Sequence, residues 1–192
     1  MLRSTRLAVL AGLGLLALGT AARAEIDPLT RQPLVTYVDP AKAQATAVPR
    51  EIVDYPTRQR PGTIVVNTTE RRLYFVLPDG KAVRYGVGVG RPGFDWAGAH
   101  AITRKAEWPG WTPPASMLKR RPDLPRHMAG GPDNPLGARA LYLGSTLYRI
   151  HGSNEPETIG QAVSSGCIRM LNEDVIDLYE RAKVGTRVVV AR

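Results

Sequence analysis

The chain has 192 residues, 26 basic and 17 acidic side chains, a formal net charge of +9, 43% hydrophobic residues and 22% charged ones. This ordinary globular mix, at a length suited to one domain plus extra segments, excludes disordered, collagen-like and large multidomain classes. One cysteine and three histidines exclude a disulfide scaffold and a cysteine-rich zinc site. The positive balance alone suggests an acidic partner: nucleic acid, an anionic membrane or an acidic polymer.

Residues 1–24 read as a signal peptide. Arg3 and Arg6 give a positive start, Leu7 to Leu18 is an uncharged apolar run of 12, and Ala22-Arg23-Ala24 is a small-x-small cleavage pattern. A membrane anchor is the alternative, but that run falls short of the ~20 residues a spanning helix needs, so no transmembrane segment is expected in the mature form. No cysteine lies near the cut, so a lipid-modified N-terminus is not expected. Cleavage removes Arg3, Arg6 and Arg23 and leaves 23 basic against 17 acidic residues, a net +6. Export also argues against nucleic acid as the partner. It carries the chain into an oxidising space where paired cysteines are usual, yet Cys167 stands alone. Two readings stay open: a small buried apolar residue, or a working thiol.

Residues 25–61 contain six prolines and show no helical or strand period, so they read as an extended leader or linker. Residues 62–192 then form one compact, strand-rich domain. Strands are expected at Thr63 to Asn67 and Leu73 to Leu77. Pro78-Asp79-Gly80 then turns the chain into Ala82 to Val89, making a hairpin. A further strand is expected near Ala99 to Lys105. A long Pro/Gly-rich stretch follows, Trp108 to Gly137, with a short helix near Ser116 to Arg120. Ala140 to Leu143 and Leu147 to His151 read as two strands. Asn172 reads as the cap of a helix over Glu173 to Lys183, with Val175, Ile176, Tyr179 and Ala182 as its buried stripe. Thr186 to Ala191 closes the domain. The expected fold is mainly β, a sandwich or barrel-like sheet pair with a C-terminal helix.

Gly88 to Gly93 matches G-x-G-x-x-G, but no helical period follows the glycines as a dinucleotide site requires. A glycine-rich strand end whose backbone closely approaches a neighbour is the better reading. His100 and His127 lack partners at ligand spacing, so no metal is expected.

The segment from His151 to Met170 carries the chemistry. His151 ends an expected strand, and Cys167 follows 16 residues later in the small-residue turn Ser164-Ser165-Gly166-Cys167. Cysteine catalysis needs a thiol, an imidazole to take its proton and N–H groups aimed at the developing oxyanion. A histidine at a strand end can reach such a turn. The alternative is a core cysteine beside an unrelated histidine. Arg169 is either a solvated charge or a fork for a substrate carboxylate.

These residues resemble the L,D-transpeptidases, the YkuD-type catalytic domain of bacterial cell-wall enzymes. The resemblance rests on His151-Gly152, on Ser164-Ser165-Gly166-Cys167-Ile168-Arg169-Met170, on Trp108-Pro109-Gly110-Trp111-Thr112-Pro113-Pro114, on Asn134 to Leu141 and on Tyr148 to His151, and it spans about residues 62–191. Ser165 stands where many members have histidine; a backbone amide there survives the change, a second imidazole does not. The resemblance implies that His151 deprotonates Cys167 and that the Gly152 carbonyl orients the imidazole. It further implies that backbone amides around Ser165, Gly166 and Cys167 hold the oxyanion, and that Arg169, Asn154 and Trp111 border the substrate, with the Trp108–Pro114 loop as a lid. The implied reaction releases D-Ala from a peptidoglycan stem peptide and leaves a thioester. An amine of another stem, or a wall-anchored protein, resolves that thioester. No cofactor is implied, the place is the periplasm, and carbapenem β-lactams are implied inhibitors. An L,D-carboxypeptidase or endopeptidase using the same thioester, and a non-catalytic wall-binding module, are the alternatives.

Overall fold

The computed structural model describes residues 48–192; the expected signal peptide and most of the leader lie outside the described residues. Eleven strands and two helices are described. The first strand, β1 (Glu51–Asp54), falls inside the segment expected to be an extended leader and pairs antiparallel with β4 (Lys81–Gly86). It has no apolar alternation because it is a solvent-facing edge strand. Its ladder is reinforced by ion pairs, Asp54 with Lys81 at 2.8 Å and Glu51 with Arg84.

The hairpin of β3 (Arg72–Val76) with β4 forms as expected, around Pro78-Asp79-Gly80. The β2 strand (Ile64–Asn67) lies against β3 on one side and runs parallel to β11 (Arg187–Ala191) on the other. Both are near-continuous β-branched runs, the pattern of strands buried in the middle of a sheet; Ile64, Val66, Val188 and Val190 are all buried. The ten-residue β6 (Gly98–Glu107) then changes partners along its length. It pairs with β11 through Gly98 to Ala101 and with β7 (Arg139–Leu143) from Ile102 onward, with a register irregularity between Ile102 and Arg104. Such a bulge turns a strand from one sheet surface into the next. Beyond β7 come β8 (Arg149–His151) and β10 (Ile168–Arg169), giving the order β1-β4-β3-β2-β11-β6-β7-β8-β10.

The segment expected as one strand to Val89 breaks at Gly86. It resumes as β5 (Val89–Gly90), which pairs with β9 (Ala162–Ser164) in a separate two-stranded sheet. Between them, Gly88 exchanges both backbone hydrogen bonds with Arg169, at 2.9 and 2.8 Å. No helix follows Gly88–Gly93, in keeping with the reading against a dinucleotide site.

The short α1 (Ala115–Arg120) sits in the long irregular stretch, which is braced by the buried Asn134 amide donating to the Ala129 carbonyl at 2.8 Å. The second helix, α2 (Asn172–Arg181), packs on β7 and β8. Two expectations fail there. Asn172 does not cap the helix, because Leu171 occupies that position and the Asn172 side chain is used elsewhere. The buried stripe is Asp174, Val175, Leu178 and Ala182, whereas Ile176 is exposed. The helix is rolled so that Leu178 enters the core in its place. Among the described residues, no helix is long and apolar enough to cross a membrane.

Candidate active site

The site is built on the parallel pair β8–β10. Ile168 is level with Ile150 and Arg169 with His151. The two isoleucines are buried in the core. By strand alternation, Arg149, His151, Cys167 and Arg169 therefore leave the opposite face together, with Cys167 one step before the ladder and level with Arg149. All four line one cavity of about 440 Å³, whose rim also includes Tyr148, Ser165 and the loop residues Trp111 and Met117.

The turn before Cys167 is tightly specified. Gly166 has φ +108°, and a Cβ there would lie 2.5 Å from the Tyr148 ring, so only glycine fits. Trp96 stacks on Tyr148, with ring centroids 4.4 Å apart, and its indole N–H donates to the Gly166 carbonyl at 2.7 Å. The Ser164 hydroxyl donates to the Cys167 carbonyl at 2.6 Å and accepts from the Gly166 N–H at 3.1 Å. That last bond corrects one expectation: the Gly166 amide is already engaged. The Ser165 and Cys167 N–H groups have no hydrogen-bond acceptor among the described residues and are the ones able to receive an oxyanion.

His151 is 5% exposed, and its Nδ1–H donates to the Gly152 carbonyl at 2.5 Å. That bond fixes the tautomer and leaves Nε2 as the proton acceptor. Burial presses the imidazole pKa down to about 3; the Gly152 carbonyl opposes this, and the Arg169 and Arg149 charges add to it. Burial pushes the half-buried Cys167 thiol up, while Arg149 and, more weakly, Arg169 pull it back. On both groups burial acts in favour of the uncharged form. The thiol meanwhile points to the Leu147 carbonyl, 3.7 Å from Sγ.

Gly152 is itself held. The Asn172 Oδ1 accepts from the Ala138 N–H at 2.9 Å, and its Nδ2 donates to the Ser153 carbonyl at 3.1 Å. A Cβ on Gly152 would strike that Oδ1. The residue expected to start a helix instead ties the loop carrying the Gly152 carbonyl to the end of the irregular stretch.

Of the residues expected at the substrate, Trp111 lines the cavity. Arg169 also lines it, with its Nη1 donating to Glu155 at 2.7 Å and Thr158 at 3.3 Å. Asn154 is not part of the lining; its amide donates to the Asp133 carbonyl at 3.0 Å and braces the long loop. Sequence reasoning passed over Arg149, Trp96, Tyr148 and Asn172. Arg149 alone had a local signal, because it lies two residues before His151 on a strand and so shares its face.

A mainly β domain presenting a cysteine, a buried neutral histidine and two unengaged backbone amides around one cleft has the parts for nucleophilic acyl transfer. The chain belongs to the YkuD family: the model of the L,D-transpeptidase catalytic domain matches residues 61–190. It is 39% identical over 160 residues to the probable L,D-transpeptidase ErfK/SrfK of Escherichia coli, an alignment covering 79% of this chain and 50% of that protein. The chain spans about half the length of the curated relatives it matches. Among solved structures it is similar to a Brucella melitensis protein described as a probable carnitine operon oxidoreductase, at 42% identity with a TM-score of 0.52, covering 79% of this chain and 99% of that one. It also shares the fold of L,D-transpeptidase 3 from Mycobacterium tuberculosis in complex with a faropenem-derived adduct, at 18% identity with a TM-score of 0.55, covering 68% of this chain and 60% of that one.

Proposed function

We propose that the described residues, β1 included, form a periplasmic peptidoglycan L,D-transpeptidase domain, exported by residues 1–24, with the leader ending before β1. The observation that carries this reading is the shared face of β8 and β10, which turns Cys167 and His151 into the same cavity. As the donor's acyl carbon approaches, Sγ attacks it and the thiol proton passes to His151 Nε2. His151 acts as the general base for this step. The oxyanion is held by the Ser165 and Cys167 amides, and the Gly152 carbonyl steadies the imidazolium that forms. The C–N bond then breaks as His151 returns the proton to the leaving D-Ala amine. A thioester remains, and an acceptor amine from another stem or from a wall-anchored protein attacks it, with His151 again relaying the proton. The net +6 left after cleavage suits an acidic wall polymer.

The test is product analysis on defined stem peptides with Cys167→Ala as the control. Crosslinked dimers or acceptor-linked products, absent from the control, are expected. Trimmed monomers alone mean that water resolves the thioester and the protein is a carboxypeptidase. No turnover by folded wild-type protein, with a Cys167→Ala chain that keeps its biological role, leaves only a wall-binding module.

A further inference from the structure

Three arginines line the cavity among the described residues: Arg169 is ion-paired with Glu155, Arg120 lies on α1 over the Phe94 ring, and Arg149, which no carboxylate neutralises, is the one level with the nucleophile. The Arg149 Nε is buried without a hydrogen-bond partner, its Nη1 donates to the Leu147 carbonyl at 3.3 Å, its side chain lies beside the Cys167 thiol, and it forms no ion pair among the described residues. The guanidinium lies 5.2 Å from the centroid of the Tyr142 ring, whose nearer cation is Arg104 at 3.6 Å. Arg169 differs in charge balance, since its Nη1 is ion-paired with Glu155 at 2.7 Å and also donates to Thr158. A partly desolvated guanidinium with an unmatched donor calls for an anion, and its planar fork fits a carboxylate.

Position selects which carboxylate. Arg149 is level with Cys167 across the β8–β10 pair, so the anion it receives lies close to the acyl carbon under attack. In a donor that releases its terminal residue, the carboxylate of that residue is separated from the acyl carbon only by the amide nitrogen and one Cα. We propose that Arg149 is the receptor for the free C-terminal carboxylate of the donor's leaving residue. The proposal rests on the acyl-transfer function given above and assigns to Arg149 the carboxylate recognition expected of Arg169. The contact departs with the leaving residue, so thioester formation empties the fork.

The test compares a stem tetrapeptide donor with the same peptide amidated at its C-terminus, using wild type, Arg149→Met and Arg149→Lys. Two measurements are made: kcat/KM for thioester formation, and calorimetric binding on a Cys167→Ala background. Amidation should cost wild type about 10- to 100-fold in kcat/KM, the range of a charge-assisted hydrogen-bonded pair. In Arg149→Met the two donors should differ by less than about twofold, and Arg149→Lys, which keeps the charge and loses the fork, should fall between. Equal discrimination by wild type and Arg149→Met, or none by wild type, overturns the proposal. If Arg149→Met does not melt cooperatively, Arg149→Lys decides by the same criterion. If wild type turns over neither donor, the transpeptidase reading fails, and binding settles the receptor separately. A preference of the Cys167→Ala protein for the free carboxylate that Arg149→Met abolishes sustains it; absence of that preference refutes it.

Discussion

Asn172→Ala probes the support behind the histidine. The Asn172 amide satisfies two backbone groups at once, the Ala138 N–H at 2.9 Å and the Ser153 carbonyl at 3.1 Å. Truncation leaves both without their partner in a half-buried place, and each unmatched group costs about 1–3 kcal/mol. A total loss of roughly 2–4 kcal/mol is expected, since water reaches part of the gap. Equilibrium urea unfolding measures it as a fall in midpoint at constant slope. The structure adds a kinetic consequence. Gly152, whose carbonyl accepts from His151 Nδ1, loses the oxygen that confines it, so thioester formation should slow by more than substrate binding weakens. Gly152→Ala should be as damaging alone, because its new methyl would strike the Asn172 oxygen. Combined with Asn172→Ala it should cost clearly less than the sum, since the nearest obstacle is gone and only the tight contacts to Ala138 N and Gly137 Cα remain. Stability within about 0.5 kcal/mol of wild type for Asn172→Ala, or strict additivity in the double variant, would refute the buttress.

Stability should depend on pH through two opposed groups. His151, lowered from 6.5 to about 3, withdraws stability as pH falls through that window, because the unfolded chain takes the proton first. Asp174, raised from 3.8 to about 6 by burial, with Glu173 adding and Arg50 opposing, returns stability as pH falls through its own window. Asp174→Asn should therefore lose stability between pH 6 and 4 more steeply than wild type, by up to about 1.4 kcal/mol per pH unit; parallel urea-derived curves would contradict this. A carbapenem should add its mass to wild type and not to Cys167→Ala, read by intact-protein mass spectrometry. Trp96→Phe, which keeps a ring against Tyr148 and removes the indole N–H, should loosen the Gly166 turn and slow that acylation several-fold; an unchanged acylation rate would show that the indole hydrogen bond does not position the turn.

What could be read from the amino-acid order follows the range of the interactions involved. Apolar runs such as Ile64 to Val66 and Val188 to Val190 announce buried strands by themselves. The small-residue turn before Cys167 and the strand ending at His151 announced a cysteine–histidine site. By contrast, β1 has no apolar signature, because its stability lies in a ladder and ion pairs to β4. Asn172 looks like a helix cap locally and becomes a tie only when Ala138 and Ser153 are brought to it from far along the chain. Arg149 and Arg169 are indistinguishable as letters; Glu155 reaching Arg169 is what separates them. Asn154 was placed at the substrate by pattern, and the long loop claims its amide instead.

The last strand, β11, is hydrogen-bonded between β2 and β6, in the middle of the nine-stranded order. A growing polypeptide cannot close this sheet until Arg187 to Ala191 have emerged, and contacts spanning most of the chain must form at once. The β2–β11–β6 junction, which ties the N-terminal hairpin to the part of the sheet carrying the nucleophile and its imidazole, therefore forms late. The five-residue β11 is thus the seam that joins the two halves of the sheet.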